Sequence, residues 1–192
     1  MSKDLELFKF ARLYLGEENW DLIKKTSEKE LNLFKKHAID LSTSYIVIGN
    51  ADILNKYRAF YLTRCVKNRP LYMQCSMHKY AEELTSDTKD EYGLNIDQDL
   101  IFLYLHKYNI STLGNSEKWL METTLNRVAD RNREGLVTII LSEVRAPLLE
   151  SSGELKVINL SGIITSTNQK EALKELLYED TKSNSSEFTC FD

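Results

Sequence analysis

Cysteine is scarce in this chain. The three cysteines, Cys65, Cys75 and Cys190, are an odd number without metal-like spacing. Neither a disulfide framework nor a cysteine-built metal centre is expected, and reduced thiols in the cytoplasm are. Long apolar runs are missing as well: every run falls well short of the ~20 residues a membrane-spanning helix needs. Lys3, Asp4 and Glu6 interrupt the start, so no signal peptide is expected. An excess of positive charge is also lacking. With 25 Lys+Arg against 29 Asp+Glu, the formal net charge is −4 and the pI near 5.5, so the surface as a whole does not attract nucleic acid. Lys24-Lys25 and Lys35-Lys36 beside His37 leave a local basic patch open. The interleaved acids Glu28, Glu30 and Asp40 make a solvated face the competing reading. What remains, 42% hydrophobic and 28% charged residues, suits an ordinary globular domain large enough to bury a core without staples.

Periodicity divides the chain into alternating helices and strands. Residues 4–15 read as an amphipathic helix ending at Gly16. Ser27-Glu28-Lys29-Glu30 fits a capping box opening a second helix, with Leu31, Phe34, Ala38 and Leu41 inward. Tyr45–Ile48 is apolar throughout, as strands buried on both faces are. A helix is expected over 54–67, a strand over Leu71–Cys75 beyond Pro70, and a helix over 77–86. Residues 87–98 form a polar connection, and Leu100–Leu105 is the next strand. Residues 106–115 read as a loop. Ser116 caps a helix running to Arg133, with Trp119, Leu120, Leu125, Val128 and Ala129 inward, and Gly135 stops it. Strands follow at Val137–Leu141 and Lys156–Leu160, then a last helix from Asn168 to about Tyr178. Five strands alternating with helices predict a three-layer αβα domain around a mainly parallel sheet.

The layout is that of a P-loop nucleotide triphosphatase: a phosphate-loop strand, a metal-acid strand and a sensor strand. The chemistry is missing from it. A phosphate loop needs several glycines, so that backbone N–H groups approach the phosphates, then a lysine and a hydroxyl for magnesium. Here the loop starts at Gly49, Asn55 holds the lysine position, Lys56 comes one residue late, and Tyr57 follows in place of the small hydroxyl. Asp52 would repel phosphate. The second strand should end in acids that hold magnesium and orient water. It ends in Tyr104 and Leu105, which suit a hard cation poorly. Two alternatives stay open at the loop: a plain strand–loop–helix connection without ligand, or a rearranged nucleotide site using Lys56 or Arg58. Cys65, Cys75, His78 and His106 are the remaining nucleophile or metal candidates. A buried structural role for the cysteines is the competing reading.

The segment from Asp99 to Leu105, then Trp119 through Arg133 to Ser142-Glu143, resembles the bacterial helicase-loader and transposition-helper ATPases, the DnaC/IstB-type branch of the AAA+ fold. The likeness extends more weakly over residues 44–162. It implies a P-loop (AAA+)-like core over 44–180, with 1–43 as N-terminal helices packed on it; 181–192, rich in serine, threonine and asparagine, reads as a mobile tail. It implies sensor-like roles for Ser142 and Glu143, the latter standing where the family has asparagine. It also implies arginines at Arg131 and Arg133 able to reach a neighbouring subunit's phosphate, against a solvated helix end. With the lysine position, both acids and the sensor asparagine replaced, the resemblance points to a pseudo-ATPase adaptor in DNA replication or mobile-element biology. No catalytic residue, metal or cofactor is expected. The expected partner is a replicative helicase or an active AAA+ protein, with DNA reached through it. The surplus of aromatic and apolar residues at Leu7, Phe8, Phe10 and Tyr14 marks a candidate docking surface. The alternatives are a divergent ATPase using Lys56 and a DNA-binding accessory module.

Overall fold

The central strands are covered on both faces, and this is why they read as unbroken apolar runs. The structure, a computed structural model, describes residues 3–37, 40–86, 94–106 and 116–161, with side chains from Lys9 onward. In chain order the elements are α1 (Lys3–Lys25), α2 (Glu28–Lys36), β1 (Tyr45–Ile48), α3 (Ala51–Cys65), β2 (Tyr72–Ser76), α4 (Met77–Thr85), β3 (Leu100–Leu105), α5 (Ser116–Arg133), β4 (Val137–Ser142), α6 (Pro147–Glu150) and β5 (Lys156–Asn159). All five strands form one sheet in the order β2-β3-β4-β1-β5, and every neighbouring pair is parallel. The described residues up to Asn159 form one compact unit. The expected helix at 168–178 and the tail 181–192 lie outside the described residues.

Strand alternation builds two cores. Ile46, Ile48, Ile101, Leu103, Leu105 and Ile140 face one side and pack with Met77, Tyr80, Leu120, Val128 and Leu149 from α4, α5 and α6. Phe102 and its face mates turn the other way, toward α3. There Phe102 meets Tyr61 edge-on at 6.0 Å and Tyr72 at 6.2 Å. α1 and α2 pack on α3, so the N-terminal helices form an outer layer on that side.

Local signals set the element ends. Ser27 accepts from the Glu30 N–H while the Glu30 carboxylate accepts from the Ser27 N–H, completing the expected capping box. Gly135 adopts φ +75° just beyond α5, a conformation that favours glycine. Two expectations need correction. Gly16 is a break inside α1 rather than its end, and helix resumes to Lys25. Its inward position there is occupied by Asn19, a polar residue that periodicity does not count as core. Trp119 is exposed, and Thr124 and Arg131 take buried positions on α5 instead. Pro147 opens the short helix α6, where its missing N–H costs nothing.

At Gly16 the backbone has φ 73° and ψ 163°, a region essentially confined to glycine, and an added Cβ would meet nothing within 4 Å. Gly16→Ala is therefore expected to destabilise the protein by about 1–3 kcal/mol through backbone strain alone. Urea unfolding would measure this, and an unchanged midpoint would contradict the strained break.

Candidate functional site

Strand order reverses direction around β1. The chain leaves β1 for β2 at one edge, yet returns through β3 and β4 to reach β5 on β1's other side. Ligands of open α/β sheets bind at the carboxyl ends of the strands at such a switch point. The connection from β1 to α3 is only Gly49 and Asn50. The Gly49 N–H donates to the Ser142 carbonyl at 3.0 Å, the Ile53 N–H to Asn50 Oδ1 at 2.9 Å, and the Leu54 N–H to the Asn50 carbonyl at 3.0 Å. The residues that follow β1 thus form the first turn of a capped helix, with Ile53 and Leu54 buried.

Beside this turn lies a cleft of about 200 Å³ lined by Ala51, Leu54, Asn55, Arg58, Tyr104, His106 and Glu143. This is below the ~300–1,000 Å³ typical of small-molecule sites. Arg58 occupies its inner wall, only 3% exposed. One terminal nitrogen of its guanidinium donates to Tyr104 Oη at 2.6 Å and to Gln74 Oε1. The other donates to Glu18 Oε1 at 2.8 Å, and Nε donates to Asn19 Oδ1 at 3.2 Å. The Tyr104 hydroxyl donates in turn to Asn55 Oδ1 at 3.1 Å. Burial raises the Tyr104 pKa above its ordinary value and the Arg58 charge offsets this only in part, so the phenol keeps the proton it donates. At the mouth, the His106 ring stacks on Tyr104 with centroids 5.6 Å apart, and His106 Nδ1 lies 3.6 Å from Glu143 Oε1.

The sequence-predicted residues divide between two sides. Asn55 and Tyr104 meet in the cleft, and Glu143 joins them at its mouth. Leu105 points to the opposite core. Lys56 turns toward α2, bonded to Glu30 at 3.0 Å and Asp52 at 2.8 Å. Burial lowers its pKa, but hydrogen bonds and charge from Asp52 and Glu30 outweigh this and leave it raised. Tyr57 is buried against Phe34 at 5.3 Å, and burial pushes its phenol pKa up. The grouping of Gly49, Asn55, Lys56 and Tyr57 in one site is therefore corrected: helical geometry sends Lys56 and Tyr57 to the α2 side. Ser142 is buried and donates to the Val144 carbonyl at 2.6 Å.

Arg131 requires the largest correction. It is fully buried, neither solvated nor able to reach a neighbouring subunit. Its guanidinium donates to Thr138 Oγ1 at 3.0 Å and to the carbonyls of Ile96, Gln98 and Val137 at 3.1, 2.8 and 3.1 Å. Arg133 is exposed and paired with Asp130. Phe10 is half exposed, and Tyr14 donates to the Pro70 carbonyl at 3.0 Å. The side chains of Leu7 and Phe8 lie outside the described residues. Burial pushes the Cys65 thiol up to about 11 and the Cys75 thiol up to about 12, so neither is a thiolate near neutral pH. Among the described residues no cluster of His, Cys, Asp and Glu could hold a metal ion, and no helix is long and apolar enough to cross a membrane. Sequence reasoning missed the acceptors that hold Arg58. Glu18, Asn19 and Gln74 come from elements remote in sequence, and only Arg58's helical spacing from Asn55 hinted at a shared face.

No protein-family model matches the chain, and no curated protein matches it. A solved structure described as "crystal structure of DNA replication initiation factor" is similar over 83% of this chain and 52% of its own, at 18% identity and a TM-score of 0.42. The chain thus spans about half the length of that protein, and so loose a likeness carries no argument about activity.

One contrast and one single variant test these assignments. Arg131→Ala leaves three carbonyls without their donor and should cost roughly 3 kcal/mol or more by denaturant unfolding, whereas Arg133→Ala should change stability by less than about 0.5 kcal/mol. Equal effects would refute the buried role. Tyr104→Phe removes the link between Arg58 and Asn55, with an expected loss of about 1–3 kcal/mol.

Proposed function

We propose that this chain is a non-hydrolysing, AAA+-like pseudo-ATPase that works as an adaptor in DNA replication or mobile-element biology, binding a replicative helicase or an active AAA+ partner. The observation that carries this reading is the Arg58–Tyr104–Asn55 network at the switch point. In a working P-loop site the helix lysine and the strand acid meet across bound phosphate and magnesium. Here an asparagine and a phenol stand in those two positions and bond to each other, with a guanidinium beside them held by the protein's own acceptors. The two-residue turn after β1 supports the same reading, because the N–H groups of Gly49, Ile53 and Leu54 are already engaged. The partner class comes from the resemblance of residues 99–143 to helicase loaders.

Neither the lysine nor the metal-holding acid of a hydrolysing P-loop site stands at its motif position in this cleft, which supports action by binding another protein. The divergent-ATPase alternative asks Lys56 to leave Glu30 and Asp52 and cross to the other side of α3. The DNA-binding alternative asks a chain of net charge −4 to bind phosphate through Lys24-Lys25 and Lys35-Lys36, of which Lys24 is paired with Asp21.

Thermal unfolding with and without millimolar Mg-ATP or ADP tests the first half of the proposal. A nucleotide bound a hundredfold above its Kd would add about 2.7 kcal/mol of stability, a shift of several degrees. The expectation is no shift and no phosphate release. A shift that Lys56→Ala abolishes would establish the ATPase alternative. Native mass spectrometry with a purified hexameric replicative helicase from the same cells tests the second half, with a complex expected. Retention on DNA that falls steeply with salt, and no protein complex, would favour the DNA-binding module.

A further inference from the structure

We propose that the outer face of α1 around Phe10 and Leu13 docks an acidic amphipathic helix of a partner protein. The inference gives the chemistry of the partner's contact segment, and it rests on the adaptor reading for the existence of that partner.

Leu13 is 79% exposed, Phe10 50% and Leu71 68%, a set of large apolar side chains left in water. They are brought toward one edge by two contacts. The Arg69 guanidinium lies over the Phe10 ring at 4.6 Å, and one turn further along α1 the Tyr14 hydroxyl bonds the Pro70 carbonyl. Residues 69–71 therefore run beside the helix. Where α1 breaks at Gly16, Lys9, Arg12, Leu13, Gly16 and Glu17 line a shallow, open depression. Positions 9, 12, 13, 16 and 17 follow helical spacing and form one stripe. The glycine leaves that stripe without a side chain between Arg12 and Glu17, so a partner's apolar residue finds a depression next to Leu13.

Charge selects the occupant. Lys9, Arg12 and Arg69 lie around the apolar residues; Glu17, paired with Arg12 at 2.7 Å, and Asp99, whose carboxylate accepts from the Leu71 N–H at 3.0 Å, are the described acids among them. Three cations against two acids leave this edge cationic by one charge, on a chain whose net charge is −4. A helix presenting apolar residues at i, i+3, i+4 and i+7 with acids on its flanks meets both features. A basic helix meets only the apolar one, and like charges facing each other disfavour it.

The test titrates the full chain into fluorescently labelled helical peptides that share one Leu/Ile stripe and differ in flanking residues, Glu in one and Lys in the other. The expected result is salt-sensitive anisotropy binding of the Glu-flanked peptide, about tenfold or more tighter than that of the Lys-flanked one. Leu13→Glu and Arg69→Glu should each weaken it by about tenfold. Both side chains are at the surface, so unchanged thermal midpoints would show that the fold survives. Equal binding of the two peptides, no binding of either, or variants that bind as the parent does would each overturn the proposal. The double variant is then tested for capture of the purified helicase by native mass spectrometry. Capture by both parent and double variant would refute this surface while the adaptor reading stands. Peptide binding by a parent that captures neither the helicase nor an active AAA+ protein of the same cells would refute the adaptor reading and leave the surface.

Discussion

A guanidinium buried at the carboxyl end of a sheet has to be given acceptors by whatever surrounds it, because a charge left unpaired there costs several kcal/mol. Arg58 imposes that demand. Glu18 and Asn19 of α1, Gln74 of β2 and Tyr104 of β3 all answer it from elements far apart in sequence. Glu18 itself is largely exposed, so the pair is only half removed from water and its Coulomb energy is screened. The geometric consequence is greater than the energetic one. α1 cannot shift on α3 without breaking bonds to Arg58, and the cleft cannot open without disturbing the seat of α1. The N-terminal layer and the switch-point cleft are one polar network.

Two simple periodicities decide which residues join it. Along β3 the strand repeat of two sends Tyr104 to the α3 face and Leu105 to the other core. Along α3 the helical repeat keeps Asn55 and Arg58 on the cleft side and gives Lys56 and Tyr57 to α2. Two adjacent positions that align with one motif in sequence thereby end up in different chemical environments. Lys56 satisfies two carboxylates, while Asn55 accepts from a phenol.

Much of the fold was legible. The unbroken apolar runs at Tyr45–Ile48, Leu100–Leu105 and Val137–Leu141 became the three central parallel strands, since a strand buried on both faces must be apolar at every position. Ser27 and Gly135 marked helix ends because the cap hydrogen bonds and the positive φ belong to local backbone geometry. Less was legible where burial is polar. The second half of α1 was missed because its inward residue, Asn19, is kept inside by Arg58 rather than by apolarity. Arg131 looked like a solvated helix end because nothing local foretells a cage of carbonyls from residues 96, 98 and 137. Trp119 looked like core because size and apolarity are poor guides to which face a helix turns inward.

By itself the sequence determined the alternation of elements and the parallel sheet. Both depend on side-chain type and short-range spacing. Only the tertiary structure decided which groups fill the switch-point cleft, which cations are buried and which exposed, and which apolar residues are left in water. Those outcomes depend on acceptors and walls supplied by chain segments tens of residues away, and no local pattern encodes where such segments meet.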